Sequence, residues 1–173
     1  MKVVAFIVLL ITCPSAASAA ENNARLCGVW GIDVWGLSWH PERLADSTYN
    51  DTNWGLGVRC YARPKWRFLG KSEDNRVFLE ADALDNSHRG LVLPISAGVE
   101  YKLASLPGHV QLSFLGALTV AYYQIPVKNQ AQVRWGPVPS FAVGRGRFKT
   151  TITLIPSTSR VLAAVVASVT VIF

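Results

Sequence analysis

Charge is scarce in this chain: 16% of its 173 residues are charged and half are hydrophobic, against roughly a quarter charged in an ordinary soluble domain. Long apolar runs are scarce as well. Apart from the N-terminal stretch none is pronounced, and none reaches the roughly 20 residues of a bilayer-spanning helix. There are three cysteines and three histidines without clustered spacing, so a metal centre has no support. The formal charge is +6, yet Lys and Arg are scattered singly, which argues against nucleic-acid binding. Internal repeats and low-complexity linkers are absent too.

What is present begins at the C-terminus. Val161 to Phe173 reads V-L-A-A-V-V-A-S-V-T-V-I-F. Val161, Ala163, Val165, Ala167, Val169, Val171 and Phe173 share one face of a strand, with Ser168 and Thr170 on the other, a two-residue period. About 9–11 such residues suffice for a tilted strand of a transmembrane barrel whose odd face meets lipid. At the other end, Lys2 precedes an apolar core from Val3 to Thr12, and Ala16-Ala17-Ser18-Ala19-Ala20 follows. That pattern reads as a secretory signal over 1–20, cut after Ala19 or Ala20. Cys13 as a lipidated cysteine is the weaker reading, because Thr12 precedes it and the apolar stretch is short.

Residues 21–173 are the length of one all-β domain, an eight-stranded antiparallel transmembrane β-barrel. The alternation predicts strands at 28–39, 53–62, 76–84, 94–103, 110–123, 138–145, 148–155 and 161–173. With the N-terminus periplasmic, connections 40–52, 85–93, 124–137 and 156–160 are external, and 63–75, 104–109 and 146–147 periplasmic. Trp35, Trp39, Trp54, Tyr101, Tyr122 and Tyr123 lie near segment ends, as interfacial girdles require. A bacterial outer-membrane location is expected, as a monomer inserted by the barrel-assembly machinery.

Face assignment predicts the lumen. Gln111, Ser113, Leu115, Ala117, Thr119 and Ala121 point inward; Glu100, Lys102, Arg147 and Lys149 lie low, with Ser96, Gly98, Thr153, Ile155, Ala164 and Val166 high. A polar plug beneath a small-residue upper lumen leaves room for one acyl chain; a fully packed taper is the alternative. Near the first hairpin, inward Ser38 and His40 put Trp35 and Asp33 on the lipid side, where a carboxylate is unfavourable, so either a bulge intervenes or the inward assignment fails. Cys27 and Cys60 flank this hairpin on its outer face and suit a disulfide in an oxidising compartment, with two separate thiols as the alternative.

The first external region reads Ser38-Trp39-His40, then Tyr49-Asn50-Asp51-Thr52-Asn53-Trp54-Gly55-Leu56-Gly57. Further on come Gly136-Pro137-Val138-Pro139-Ser140-Phe141-Ala142-Val143-Gly144 and Thr151-Ile152-Thr153-Leu154-Ile155-Pro156. In these segments the chain resembles the lipid A palmitoyltransferase family of small outer-membrane barrels and its uncharacterised relatives. The resemblance implies movement of an acyl chain from phospholipid to lipid A, with both lipids as partners and no soluble cofactor. It carries the family's loop histidine onto His40 and its serine onto Ser87. It departs from the family where Asn86 separates Asp85 from Ser87, in a shorter first loop, and in having no room for an amphipathic N-terminal helix.

The chemistry can be reasoned apart from the family. Acyl transfer from an ester needs a proton acceptor, donors to the tetrahedral oxyanion and a site for the chain. His40 suits the base, Ser87 the oxyanion donor or nucleophile, and Asp85 the group orienting the imidazole. His88 is a competing base. Solvated loop histidines and an Asp-Asn-Ser turn are the ordinary alternatives. Tyr49, Asn50 and Asp51 suit a sugar or phosphate headgroup, or simply a turn. A non-enzymatic structural or small-ligand-binding barrel remains the second reading.

Overall fold

The structure, a computed structural model, describes residues 27–40, 51–62, 75–86, 89–125, 130–156 and 164–173; the expected signal segment and residues Tyr49, Asn50, Ser87 and His88 lie outside them. Eight antiparallel strands follow in order: β1 Val29–Trp39, β2 Gly55–Ala62, β3 Arg76–Asp85, β4 Leu91–Leu106, β5 Val110–Ile125, β6 Gln130–Arg145, β7 Phe148–Ile155 and β8 Ala164–Ile172. Each pairs with its neighbours in sequence, and β1 with β8 closes the barrel. Closure leaves neither terminal strand as an open edge, the condition for placing a sheet in hydrocarbon. The lower end holds the start of β1, the end of β2, the start of β3 and the short turns at 107–109 and 146–147; the upper end holds the opposite strand ends.

Alternation decides which side chains enter the lumen. In β8, Val166, Ser168 and Thr170 are buried, whereas Val169 on the other face is exposed. In β5, Ser113, Leu115 and Ala121 are buried, whereas Leu118 and Val120 are exposed. Leu37, Leu56, Ile95, Val133 and Trp135 extend the outward apolar surface around the barrel. A soluble protein would bury such a belt; a lipid-facing barrel displays it.

A register shift between Trp35 and Leu37 resolves the conflict in β1. The extra residue at this bulge lets both Asp33 and Ser38 turn inward, each buried, and carries Trp35 inward too, against the expectation that it faces lipid. Tyr123 also lines the lumen rather than a girdle. Arg147, expected low in the lumen, is instead exposed in the β6–β7 turn.

Two strands are longer than their sequence pattern. β6 begins at Gln130, not 138, so most of the expected loop 124–137 is strand, paired with β5 from Ile125↔Gln130 to Val110↔Arg145. Its polar Gln130, Gln132 and Arg134 and its prolines Pro137 and Pro139 hide the alternation. Those prolines lie above the described β6–β7 ladder, which runs from Ser140↔Thr153 to Arg145↔Phe148. A missing N–H is tolerated where a strand edge carries no ladder. β4 likewise spans 91–106, passing a second irregularity between Lys102 and Ala104.

Cys27 and Cys60 form a disulfide with a Cα–Cα distance of 5.3 Å. It joins Cys27, two residues before β1, to the outward face of β2, beside the Trp30↔Cys60 pair. The bond therefore locks the segment entering the barrel at its lower end.

Candidate functional site

Charged residues inside a narrow barrel must satisfy one another, because water is largely excluded. The lower lumen does this around Tyr61. Lys149 Nζ lies 2.6 and 2.7 Å from the two carboxylate oxygens of Glu100 and donates to the Tyr61 hydroxyl at 3.4 Å. Arg59 Nη1 donates to the same hydroxyl at 3.2 Å. Phe78 and Tyr61 flank the guanidinium, whose central carbon lies 5.2 Å from the Phe78 ring centroid. These interlocked side chains fill the lower barrel, so it is a plug and not an open pore.

Above the plug lies an acidic ring. Arg59 Nη2 meets Glu80 Oε2 at 2.8 Å, and Arg59 Nε meets Asp33 Oδ2 at 3.3 Å. Thr170 Oγ1 donates to Asp33 Oδ1, and Trp35 Nε1 donates to Asp82 Oδ1 at 2.9 Å. Gly57 sits opposite Asp82, and any Cβ there would overlap the Asp82 carboxylate. The glycine is thus required by the carboxylate. Asp33, Glu80 and Asp82 each bring a carboxylate oxygen within 4.8 Å of the others, the closest approach to a metal-ligand set among the described residues. Arg59 already supplies the cation to two of them, so the arrangement reads as a hydrogen-bonded floor.

That floor closes the bottom of a cavity of about 100 Å³. Its walls are mostly apolar, with Leu84, Val92, Ala117, Ala121, Val138 and Val166 among them. The polar wall groups are largely self-satisfied: Ser96 pairs with Thr119 at 2.8 Å, and Ser140 donates to Thr153 at 3.0 Å. Glu80 to Leu84 on β3 is four residue steps, which at strand rise and barrel tilt makes the cavity about 10 Å deep. A site of this volume takes about three waters, or the last few carbons of one hydrocarbon chain.

The expected catalytic residues are placed less uniformly. His40 follows β1 at the upper end, half-buried, two positions beyond inward Ser38, but it does not line the cavity. Asp85 ends β3 exposed, one residue beyond inward Leu84, and its backbone N–H donates to the Trp54 carbonyl at 2.9 Å. Asp51 is half-buried, and its carbonyl accepts from Ser38 N at 2.8 Å, tying the chain before β2 to the top of β1. Asn86 is buried and organises its turn: its side chain accepts from Gly90 N at 2.9 Å and donates to the Gln124 carbonyl at 2.7 Å. The residue that interrupts the Asp-Ser pair in sequence is therefore a structural clasp between the β3–β4 turn and β5. Of the His40, Ser87, Asp85 grouping, Ser87 lies outside the described residues, and Asp85 is exposed at the end of β3.

Sequence reasoning missed Arg59, Glu80, Asp82 and Trp35 as a unit. A signal was available: Glu80-x-Asp82 puts two carboxylates on one face of a strand, and in a barrel with an apolar exterior that face is the lumen. Neither a scan against protein-family models nor a search of curated proteins found a match to this chain.

Proposed function

We propose that this protein is a bacterial outer-membrane barrel that receives the end of one acyl chain in its upper lumen and transfers an acyl group from phospholipid to lipid A. The observation that carries this reading is the apolar cavity above a charged floor, inside a barrel whose outer face is an apolar belt. The floor stops the hydrocarbon, and the wall leaves few unsatisfied polar groups against it. The resemblance through Trp39-His40 and the two C-terminal segments supplies the reaction. In that reaction a lipid A hydroxyl attacks the phospholipid ester carbon while His40 accepts its proton, and the original acyl–oxygen bond then breaks as His40 returns that proton to the departing lysophospholipid oxygen. Ser87 is the proposed oxyanion donor.

The experiment is expression in an outer membrane followed by lipid A mass spectrometry at matched amounts of assembled barrel. Wild type should add one acyl chain; His40→Ala should lower the rate by about 10²–10⁴-fold and Ser87→Ala by about 10²–10³-fold. A wild type that adds no chain where a family member does, or alanine variants that stay fully active, overturns the proposal. The exposed position of Asp85 favours a second reading, a non-enzymatic barrel that binds an acyl chain without transferring it. Asp85→Asn separates the roles: retained transfer assigns Asp85 to the turn, and a large loss assigns it to orienting His40.

A further inference from the structure

Several of the basic residues scattered along the sequence are brought by the fold to the lower end. Arg145 closes β6 at the lower rim and pairs with Phe148 across a tight turn, where Gly146 adopts a positive φ of 61°. Arg147, in the same turn, is pinned to β8 because its carbonyl accepts from Ile172 N at 2.8 Å. Both arginines are exposed, and among the described residues no carboxylate pairs with either. Lys102 and His109 lie at the same end. The described charges of the upper end are mixed: Asp51 and Asp85 against Arg89 and Arg134.

The apolar belt reaches this rim. Phe148 is 63% exposed, Phe173 65% and Trp30 51%, and they are neighbours through Phe148↔Val171 and the bond from Phe173 N to the Trp30 carbonyl. Aromatics beside unpaired guanidinium groups on a held turn match the boundary between hydrocarbon and a phosphate headgroup. Building on the outer-membrane reading above, we propose that the lower rim binds anionic phospholipid headgroups of the periplasmic leaflet through Arg145 and Arg147, with Phe148 seated against the adjoining glycerol and acyl region. The site lies at the opposite end from the acyl cavity and serves orientation and lipid selection, not transfer.

The test uses the mature chain folded in neutral detergent and offered equal amounts of phosphatidylglycerol and phosphatidylcholine, with retained lipid counted by native mass spectrometry. One basic side chain at an anionic surface is worth about fivefold in partitioning, so wild type should favour phosphatidylglycerol by at least about fivefold. Arg145→Gln/Arg147→Gln should bring the ratio close to one, each single variant should fall between, and Arg134→Gln at the upper end should change nothing. Equal retention of both lipids by wild type, or an unchanged ratio in the double variant, overturns the proposal. So does complete competition by inorganic phosphate, which identifies a free-phosphate site instead. Heat-dependent gel migration is read on every sample: a wild type that never forms a membrane barrel brings down the outer-membrane reading, whereas a folded barrel without headgroup preference brings down this inference alone.

Discussion

Lys149→Met leaves the Glu100 carboxylate inside the barrel without its cation, and the consequence can be worked from the geometry. Both carboxylate oxygens lie within 2.7 Å of Nζ, and Glu100 and Lys149 are only 5% and 8% exposed. At an effective dielectric of about 20, two charges about 2.7 Å apart attract by roughly 6 kcal/mol, much of which offsets the desolvation of both ions. Removing one partner does not return the other to water, so the expected loss is about 3–5 kcal/mol. Methionine keeps most of the lysine stem, which limits any cavity contribution. Replacing both residues, as Glu100→Leu/Lys149→Met, should recover most of that loss, because an apolar pair removes the buried charge altogether. The measurement is urea-dependent unfolding in lipid vesicles followed by tryptophan fluorescence, with the midpoint compared at constant slope. A single variant that loses under 1 kcal/mol, or a double variant as unstable as the single, would refute the claim that the plug is held by this charge pair.

Three further outcomes follow from other parts of the barrel. Reducing the Cys27–Cys60 bond, which closes a separation of 33 residues, should lower stability by about 3–4 kcal/mol in the chain-entropy account; alkylation and intact mass of unreduced protein check the bond, and two free thiols would deny it. Gly57→Ala should push Asp82 away from Trp35 Nε1 and cost about 1–3 kcal/mol, with a shift in tryptophan emission, while Gly136→Ala, where an added Cβ meets nothing within 4 Å, should be neutral. Deleting Phe173, whose N–H bonds the Trp30 carbonyl at 2.8 Å, should impair barrel closure, seen as reduced heat-modifiable protein in an outer-membrane fraction; unimpaired assembly would remove the terminal residue from the assembly signal.

The barrel was legible wherever one face of a strand is apolar and the other polar. β8, β5 and the middle of β4 show that contrast in sequence, and their inward and outward sets agree with burial except at Gln111, expected inward but exposed at the lower rim. β6 did not show it, because its upper half pairs with β5 through backbone hydrogen bonds that place little demand on side-chain type. Gln130, Gln132, Arg134, Pro137 and Pro139 consequently resemble a loop, although the ladder beneath them is continuous. The bulge in β1 was legible only as a contradiction: Asp33 and Ser38 stand five residues apart, an odd spacing that an uninterrupted strand cannot turn to one side. Gly36 offered no signal of its own, and the position of the bulge came from the partner strand β8.

The candidate site was harder to read, because its members are distant in sequence and meet only when the barrel closes. Asp33, Arg59, Glu80 and Asp82 come from three strands, and their contacts depend on the stagger between those strands, a quantity no local pattern encodes. The same network carries a consequence for specificity. Arg59 both neutralises the carboxylates and forms part of the cavity floor, so the depth available to a hydrocarbon is set by residues that also stabilise the plug. Truncating Arg59 to lengthen the cavity would leave three buried carboxylates facing one another, at a cost that exceeds what a few added methylene contacts return at about 0.8 kcal/mol each. Enlarging the walls offers a separate route: Ala117 and Ala121 contact the cavity without entering the charged network. If the proposed acyl chain occupies the cavity, selectivity for chain length is therefore tied to the stability of the floor, while selectivity for chain width is free to vary from the walls.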